Sequence, residues 1–447
     1  MRPLIALLTL CACATAHAQE RRWTLDECIA RAYARNIEIK TQELSTEEKR
    51  IALSESRWGY APDISVSNSY SLSTGRVLDP TTYEFVEQQT VGGNSTSVGA
   101  NITVFNGMRN IYRLQRARLD LRSSLLAVEA LRRDVRMNVT ARYLEVLCAE
   151  ETLRDVEQVV VELSMQEEKT ARKVEAHKVT VADLLQIQSQ LADAENDLLT
   201  ARRAYDIARL DLCQLLELDD WASFRAAPPD GEELGGDGVA DDPATLLDAA
   251  GALPEVEAAR VGIDLARRDL QIARAAYWPT LSLSAGYGSS YSDARQRSFR
   301  NPDGTLRYEA YPFFAQYRDN ASSYVSLSLS VPLFGRLVTR KNVQRQKLAL
   351  RRAEYTLLAA EKRAAKEATQ ALLDARTAWG RYRGAQRYVA AAEEALRQVA
   401  RKYDLGVASV ADYNAALTAA VKARSQLLQA RYEYLFKRRT LEYYRNE

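Results

Sequence analysis

The spacing of apolar residues changes along this chain, and each change marks an element. Leu25, Ile29, Ala32 and Tyr33 share one face of a 3.6-residue period, so Trp23 to Asn36 predicts a short amphipathic helix capped by Thr24. A charged helix follows to about Arg57. The period then drops to two. Ile64, Val66, Tyr70 and Leu72 alternate with Ser65, Ser67, Ser69, Ser71 and Ser73; past a Gly, Thr and Asn-rich loop, Val98, Ala100, Ile102 and Val104 alternate with Ser97, Gly99, Asn101 and Thr103. That alternation predicts strands of about eleven residues, the length a membrane-crossing strand needs, although a soluble sandwich strand alternates in the same way. Asn106 to about Glu175 reads as one helix of roughly seventy residues, about 105 Å long at 1.5 Å per residue. Leu121, Leu125, Val128, Leu131, Val135 and Val139 form its apolar stripe. In the return helix Leu184, Leu191, Leu198, Tyr205 and Leu212 recur every seven residues, with Ile187, Ala194, Ala201, Ala208 and Leu215 three later. A strict seven imposes a left-handed coiled coil, and the alanines allow close approach.

The second half repeats this order. Leu281, Leu283, Ala285 and Tyr287 alternate with Ser282, Ser284 and Gly286, and Val325, Leu327, Leu329 and Val331 with Ser326, Ser328 and Ser330. The turn Lys173 to Leu184 aligns without a gap on Lys402 to Tyr413, at an offset of 229 (402 − 173), and Ile37 to Ile39 aligns on Pro254 to Val256 at 217 (254 − 37). The chain reads as a tandem duplication, with one loop longer in the second copy. In each turn Thr180 or Ser409 stands three residues before Asp183 or Asp412, the spacing of a reciprocal cap at a helix start. The predicted organisation is a first repeat over residues 19–218 (hairpin 62–105, return helix 180–217), a linker over 219–243 and a second repeat over 244–447 (hairpin 279–333, return helix 409–444). The linker carries Pro228-Pro229, glycines and acidic residues, the composition of a surface connection.

Composition sharpens this mainly by exclusion. With 19 Gly and 11 Pro in 447 residues, no Pro lies between Pro80 and Pro228 or after Pro332, which leaves the long tracts free to be helix. A net charge of +2 excludes a strongly basic nucleic-acid binder. Residues 1–18 read as a secretory signal cleaved between Ala18 and Gln19; a loose lipobox at Leu10 to Cys13 leaves acylation of Cys13 as the rival. His177 is then the only histidine, and Cys28, Cys148 and Cys213 are too widely spaced for a metal or disulfide motif. No catalytic, cofactor or metal site is expected, and no enzyme activity.

Trp58, Tyr60, Tyr277, Trp278, Tyr291 and Tyr324 fall at the strand ends, where aromatic girdles sit in membrane barrels. Four strands cannot close a membrane barrel, because the smallest have eight. Nor can open edges face lipid, where each unpaired backbone group costs several kcal/mol. The barrel must be shared, and two, three or four copies all satisfy the arithmetic. The rival reading is a soluble periplasmic coiled-coil adaptor or structural protein of an export complex.

The residues resemble the TolC-like outer-membrane factors over the whole mature chain. The resemblance rests on the duplicated element order, on Tyr403-Asp404-Leu405-Gly406 leading to Ser409-Val410-Ala411-Asp412, on Val331-Pro332-Leu333-Phe334-Gly335, and on Trp278-Pro279-Thr280-Leu281. It implies a mainly α-helical coiled-coil barrel plus four β-strands per chain, closed as a homotrimer with a twelve-stranded barrel in outer-membrane lipid and a periplasmic tunnel. It implies the passive exit duct of a tripartite efflux or type I secretion system, carrying drugs, small molecules or polypeptides. Its partners would be a periplasmic adaptor protein and, through it, an inner-membrane pump. Glu175, Ala176, His177, Lys178, Leu405, Gly406, Val407 and Ala408 would then form the adaptor-docking tip. Asp183 and Asp412 are pore-gate candidates whose plain alternative is helix capping, with Tyr403 and Asp404 as locking partners. Two departures from the family pattern stand out: His177 replaces the first tip glycine, and Ala415 replaces a second pore-facing Asp.

Overall fold

A computed structural model of the protein describes residues 22–78, 84–228 and 243–445. The expected cleavage site at Ala18 and Gln19, Cys13, and most of the expected linker lie outside the described residues. The chain forms two compact units. One comprises Thr46–Ser123 and Arg260–Thr356; the other holds the described residues outside those spans. Each unit therefore draws on both halves of the sequence.

The second of these units is mainly helical. Thr24 caps α1 (Leu25–Arg35), exchanging hydrogen bonds with Glu27 in a full capping box. α2 (Ile37–Trp58) follows, its start held by the Asn36 side chain, which accepts from the N–H groups of Glu38 and Ile39 at 3.0 and 3.1 Å. The long helix α3 (Arg109–Glu175) and return helix α4 (Val181–Leu215) have 67 and 35 residues, and their counterparts α8 (Val338–Asp404) and α9 (Val410–Tyr444) have the same 67 and 35. α5 (Pro243–Ala250) and α6 (Pro254–Ala275) precede α8 in sequence. Four of these helices (α2, α3, α6 and α8) continue along the chain into the other unit. Ile187, Ala194, Ala201 and Ala208 are buried as the sevenfold pattern requires, whereas Leu125 of the α3 stripe is exposed.

One core gathers Cys28, Val139, Tyr143, Tyr205, Leu212, Cys213 and Tyr432. Among the described residues Cys28, Cys148 and Cys213 are free, and burial pushes the Cys28 thiol up to about 12, so it packs as a small apolar group. Within the expected surface linker, residues 224–226 depart from a surface position. Arg225–Ala226 (β4) pairs in parallel with Arg22–Trp23 (β1), and Phe224 and Ala226 are buried in the same core. Their apolar side chains, not the flanking Pro and Gly, decide where this stretch lies.

The other unit is built on an antiparallel sheet in the order β2-β3-β5-β8, from β2 (Asp63–Leu78), β3 (Phe85–Phe105), β5 (Thr280–Ser292) and β8 (Ser322–Ser330). The first two strands are longer than the expected eleven residues. The Gly, Thr and Asn-rich stretch expected to be loop is strand: Ser71, Leu72 and Ser73 pair with Gly93, Gly92 and Val91. Cross-strand pairing overrides weak intrinsic β-propensity there. A bulge between Thr103 and Phe105 puts Phe105, not Val104, opposite Leu281. Between β5 and β8 the chain also forms a hairpin, β6 (Gln296–Arg300) and β7 (Leu306–Ala310), and a short helix, α7 (Phe313–Asp319).

Candidate functional site

The candidate gate and docking residues belong to the two hairpin turns. Each long helix ends with one residue in the left-handed region: His177 at φ 54° and Gly406 at φ 74°. The N–H of His177 donates to Val174 O at 2.9 Å and that of Lys178 to Lys173 O at 2.9 Å; Gly406 donates to Tyr403 O at 3.0 Å and Val407 to Lys402 O at 2.8 Å. This is one helix-ending motif built twice, and glycine is its natural occupant because a Cβ is strained at positive φ. His177 holds the same backbone against that strain.

Three residues on, the return helices start alike. Thr180 donates its N–H and hydroxyl to Asp183 Oδ2 at 2.9 and 2.7 Å, and Asp183 N–H donates back to Thr180 Oγ1 at 3.2 Å. Ser409 and Asp412 repeat this at 3.1, 2.7 and 3.1 Å. Hydrogen bonds from Ser409 hold the Asp412 carboxyl below the usual carboxylate range. Both carboxylates are thus engaged in caps.

The two turns meet through the other candidates. Tyr403 is buried with Ile187 of α4 and Val410 of α9, and its ring stacks on Tyr413 at 5.4 Å. Lys173 Nζ lies 4.5 Å from the Tyr403 ring centroid and 3.8 Å from the Asp404 carboxylate. A cation from the first turn therefore clasps an aromatic and a carboxylate of the second. Burial raises the Tyr413 hydroxyl above its ordinary pKa, with Glu162 and Asp404 adding to it. Glu175, Ala176, His177, Lys178, Leu405, Gly406 and Val407 are exposed, and Ala408 is half-buried against the Tyr403 cluster. Lys173 and Asn414 were not among the sequence candidates. Lys173 was visible as the partner of Lys402 in the repeat; Asn414, buried two residues beyond Asp412, carries no such signal.

In the sheet, register gives each face one chemistry. Ile102–Leu283–Leu327 and Ile64–Ala100–Ala285–Val325 form rows on one face, and Thr103–Ser282–Ser328 and Ser67–Ser97–Gly288–Ser322 rows on the other. Tyr324 pairs with Gly286 in a row with Gly99 and Ser65, so it belongs to the hydroxyl-bearing face and not with the aromatics of the apolar one. Its ring lies where a Cβ on Gly286 would be, 2.5 Å from the nearest ring carbon. Trp58, Tyr60, Tyr277 and Trp278 are exposed near the strand ends that join helices, and Tyr291 lies on the apolar face at the opposite end. No helix among the described residues is long and apolar enough to cross a membrane, and those residues contain no cluster of three or more His, Cys, Asp or Glu side chains placed to hold a metal ion.

A duplicated pair of long helical hairpins and a two-faced four-stranded sheet are the architecture of a class of outer-membrane proteins. The chain belongs to the outer membrane efflux protein family, which it matches over residues 28–217 and 247–445. It is 24% identical to outer membrane protein TolC of Vibrio cholerae over 67% of this chain and 64% of that one, so the match spans less than two thirds of that relative's length. Its fold is that of the channel protein CusC (TM-score 0.78, 16% identity, 94% of this chain and 91% of that one). The CmeC outer membrane channel of Campylobacter jejuni is similar (TM-score 0.78, 17% identity, 94% and 85%).

Proposed function

We propose that the chain is one third of an outer-membrane exit duct for an efflux or secretion system, moving drugs, small molecules or polypeptides passively and with no catalysis of its own. The observation that carries this is the four-stranded sheet: one apolar face, one hydroxyl face, and the unpaired edges of β2 and β8. Such edges cannot be left in lipid. Three copies joined β8 to β2 give twelve strands, with Leu283 and Leu327 outward and Ser282 and Ser328 lining the lumen. Purified in detergent, the protein has the mass of three chains and conducts ions in planar bilayers. A stable monomer in a detergent-free periplasmic extract refutes both barrel and trimer.

The duplicated hairpins then form the periplasmic tunnel, and the exposed residues of the two turns dock a periplasmic adaptor tied to an inner-membrane pump. In the trimer Asp183 and Asp412 present six carboxylates around the mouth, with the Lys173–Asp404–Tyr403 clasp as the lock. A carboxylate ring concentrates cations and binds divalent ions. Asn retains capping ability while removing the charge. The Asp183→Asn, Asp412→Asn double variant therefore remains trimeric but loses cation selectivity and divalent block. Unchanged selectivity leaves only the caps.

A further inference from the structure

On β5 the unbroken apolar run of the sheet's outer face ends at Tyr287, with Tyr291, Tyr70 and Leu72 beyond a single polar row. From the row Phe105–Leu281–Leu329 to the row Val66–Val98–Tyr287 every β5 position on that face is apolar. Leu281 to Tyr287 is six steps, about 20 Å at 3.4 Å each. The next row is polar, Asn68–Thr96–Ser289, and there α7 sits. Ser289 Oγ donates to Tyr317 O at 2.6 Å, the Tyr317 hydroxyl bonds Thr96 Oγ1 at 2.9 Å and also reaches Asn94, and the Phe313 ring lies 4.9 Å from that of Tyr291.

A buried glutamine fixes the helix in this place. β8 pairs with β5 only as far as Gly288, which leaves the edge of β5 free beyond it. Gln316, 1% exposed, takes the missing strand's part: Ser292 N–H donates to its Oε1 at 3.0 Å and its Nε2 donates to Ser292 O at 2.9 Å. Asn320 donates to Ser290 O at 2.7 Å. α7 is thus bonded rigidly at the border of the apolar band, at the strand ends away from the helices and hence on the external side of the membrane.

With Phe313 and Tyr317 against the sheet, Phe314 and Arg318 share the outward face one turn apart. Phe314 is 84% exposed and the Arg318 side chain 77%. An exposed aromatic beside a guanidinium, at the rim of a lipid-facing band, is the chemistry that sits in a headgroup layer, with the ring at the acyl boundary and the cation on phosphate. Arg297, 50% exposed, lies 3.8 Å from Asp319, the same carboxylate that Arg318 contacts at 3.0 Å, so two guanidinium groups share one acidic partner. That leaves positive charge for an anion.

Resting on the barrel reading above, we infer that α7 anchors the barrel in the external leaflet, with Phe314 and Arg318 binding a phosphate-bearing lipid headgroup. The test uses the full-length protein in vesicles containing lipid A, either with its phosphates or enzymatically dephosphorylated, and counts lipid A retained per chain by native mass spectrometry after detergent extraction. Wild type retains phosphorylated lipid A, and retention falls several-fold on dephosphorylation and in the Phe314→Ser, Arg318→Ala double variant, at unchanged conductance. Inorganic phosphate at equal concentration does not displace the lipid. Retention indifferent to both changes overturns the anchor. So does a double variant that loses trimer mass with lipid retention intact, which would assign this face to a neighbouring copy. A wild type that never inserts into vesicles instead removes the barrel reading beneath it.

Discussion

Val181 and Val410 hold the same place in the two hairpin turns, 229 residues apart (410 − 181), yet Val181 is 60% exposed and Val410 only 4%. One turn on, the contrast crosses polarity: Leu185 is 60% exposed, while its equivalent Asn414 is 4% exposed, with no hydrogen-bond partner for either amide atom. Further along the same helices the difference vanishes. Ala194 and Ala423 are both buried, as are Ala201 and Ala430. The caps and turn hydrogen bonds are also the same in both copies. Local sequence thus dictates how each turn is made, and packing against Tyr403 and Ile187 dictates which turn is enclosed. The first turn keeps apolar side chains outward, and the second encloses a polar one.

The largest effect should come from exchanging the mismatched pair. Asn414→Leu is close to isosteric and removes an orphaned buried amide, whose burial costs about 1–3 kcal/mol. It should stabilise the second turn by that order, seen as slower amide exchange at the start of α9 and a higher denaturation midpoint. The reverse swap, Leu185→Asn, lies on an exposed surface and should stay within about 0.5 kcal/mol. Equal responses at the two sites would mean that enclosure does not distinguish them in solution.

A smaller effect isolates the backbone. Nothing lies within 4 Å of a Cβ built on Gly406, so Gly406→Ala meets no side chain and costs only the left-handed conformation, about 1–2 kcal/mol. His177→Gly relieves that strain but adds unfolded-state entropy, for a net gain of about 0.5–1 kcal/mol. Opposite signs from thermal unfolding confirm that the two turns share one backbone; a destabilising His177→Gly would show that the His177 ring contributes a contact of its own.

Much of this was legible because the decisive signals are local. Thr180 with Asp183 and Ser409 with Asp412 locate both return-helix starts by spacing alone, and the Ser alternation of β5 and β8 declares two faces without coordinates. What failed depended on partners distant in sequence. Gly92 and Gly93 look like loop until Leu72 and Ser71 pair with them. Tyr324 looks like a girdle residue until register sets it over Gly286. Phe224 looks like linker until it enters the core of Tyr143 and Leu212. At the candidate site the caps were visible as motifs, but the Lys173–Tyr403 clasp joins side chains 230 positions apart (403 − 173) and the enclosure of Asn414 is set by helix packing.

The smallest effect tests the caps by pH. Ser409 donates both hydroxyl and N–H to Asp412, so the folded state favours the charged carboxylate and its pKa lies below the unfolded value. Stability from a depressed pKa is fully present above the unfolded carboxylate value and is lost as pH falls through the folded one. Amides in the first turn of α9 should therefore exchange faster, relative to the intrinsic rate, only once pH drops below the ordinary carboxylate range, with the helix centre unaffected. Asp412→Asn can still cap but cannot titrate at this site, so the same amides should lose that pH dependence while keeping most of their protection. If the acid-induced fraying persists in the Asn variant, the responsible proton binds elsewhere, and the Asp412 cap is not the element that sets the pH response of the second turn.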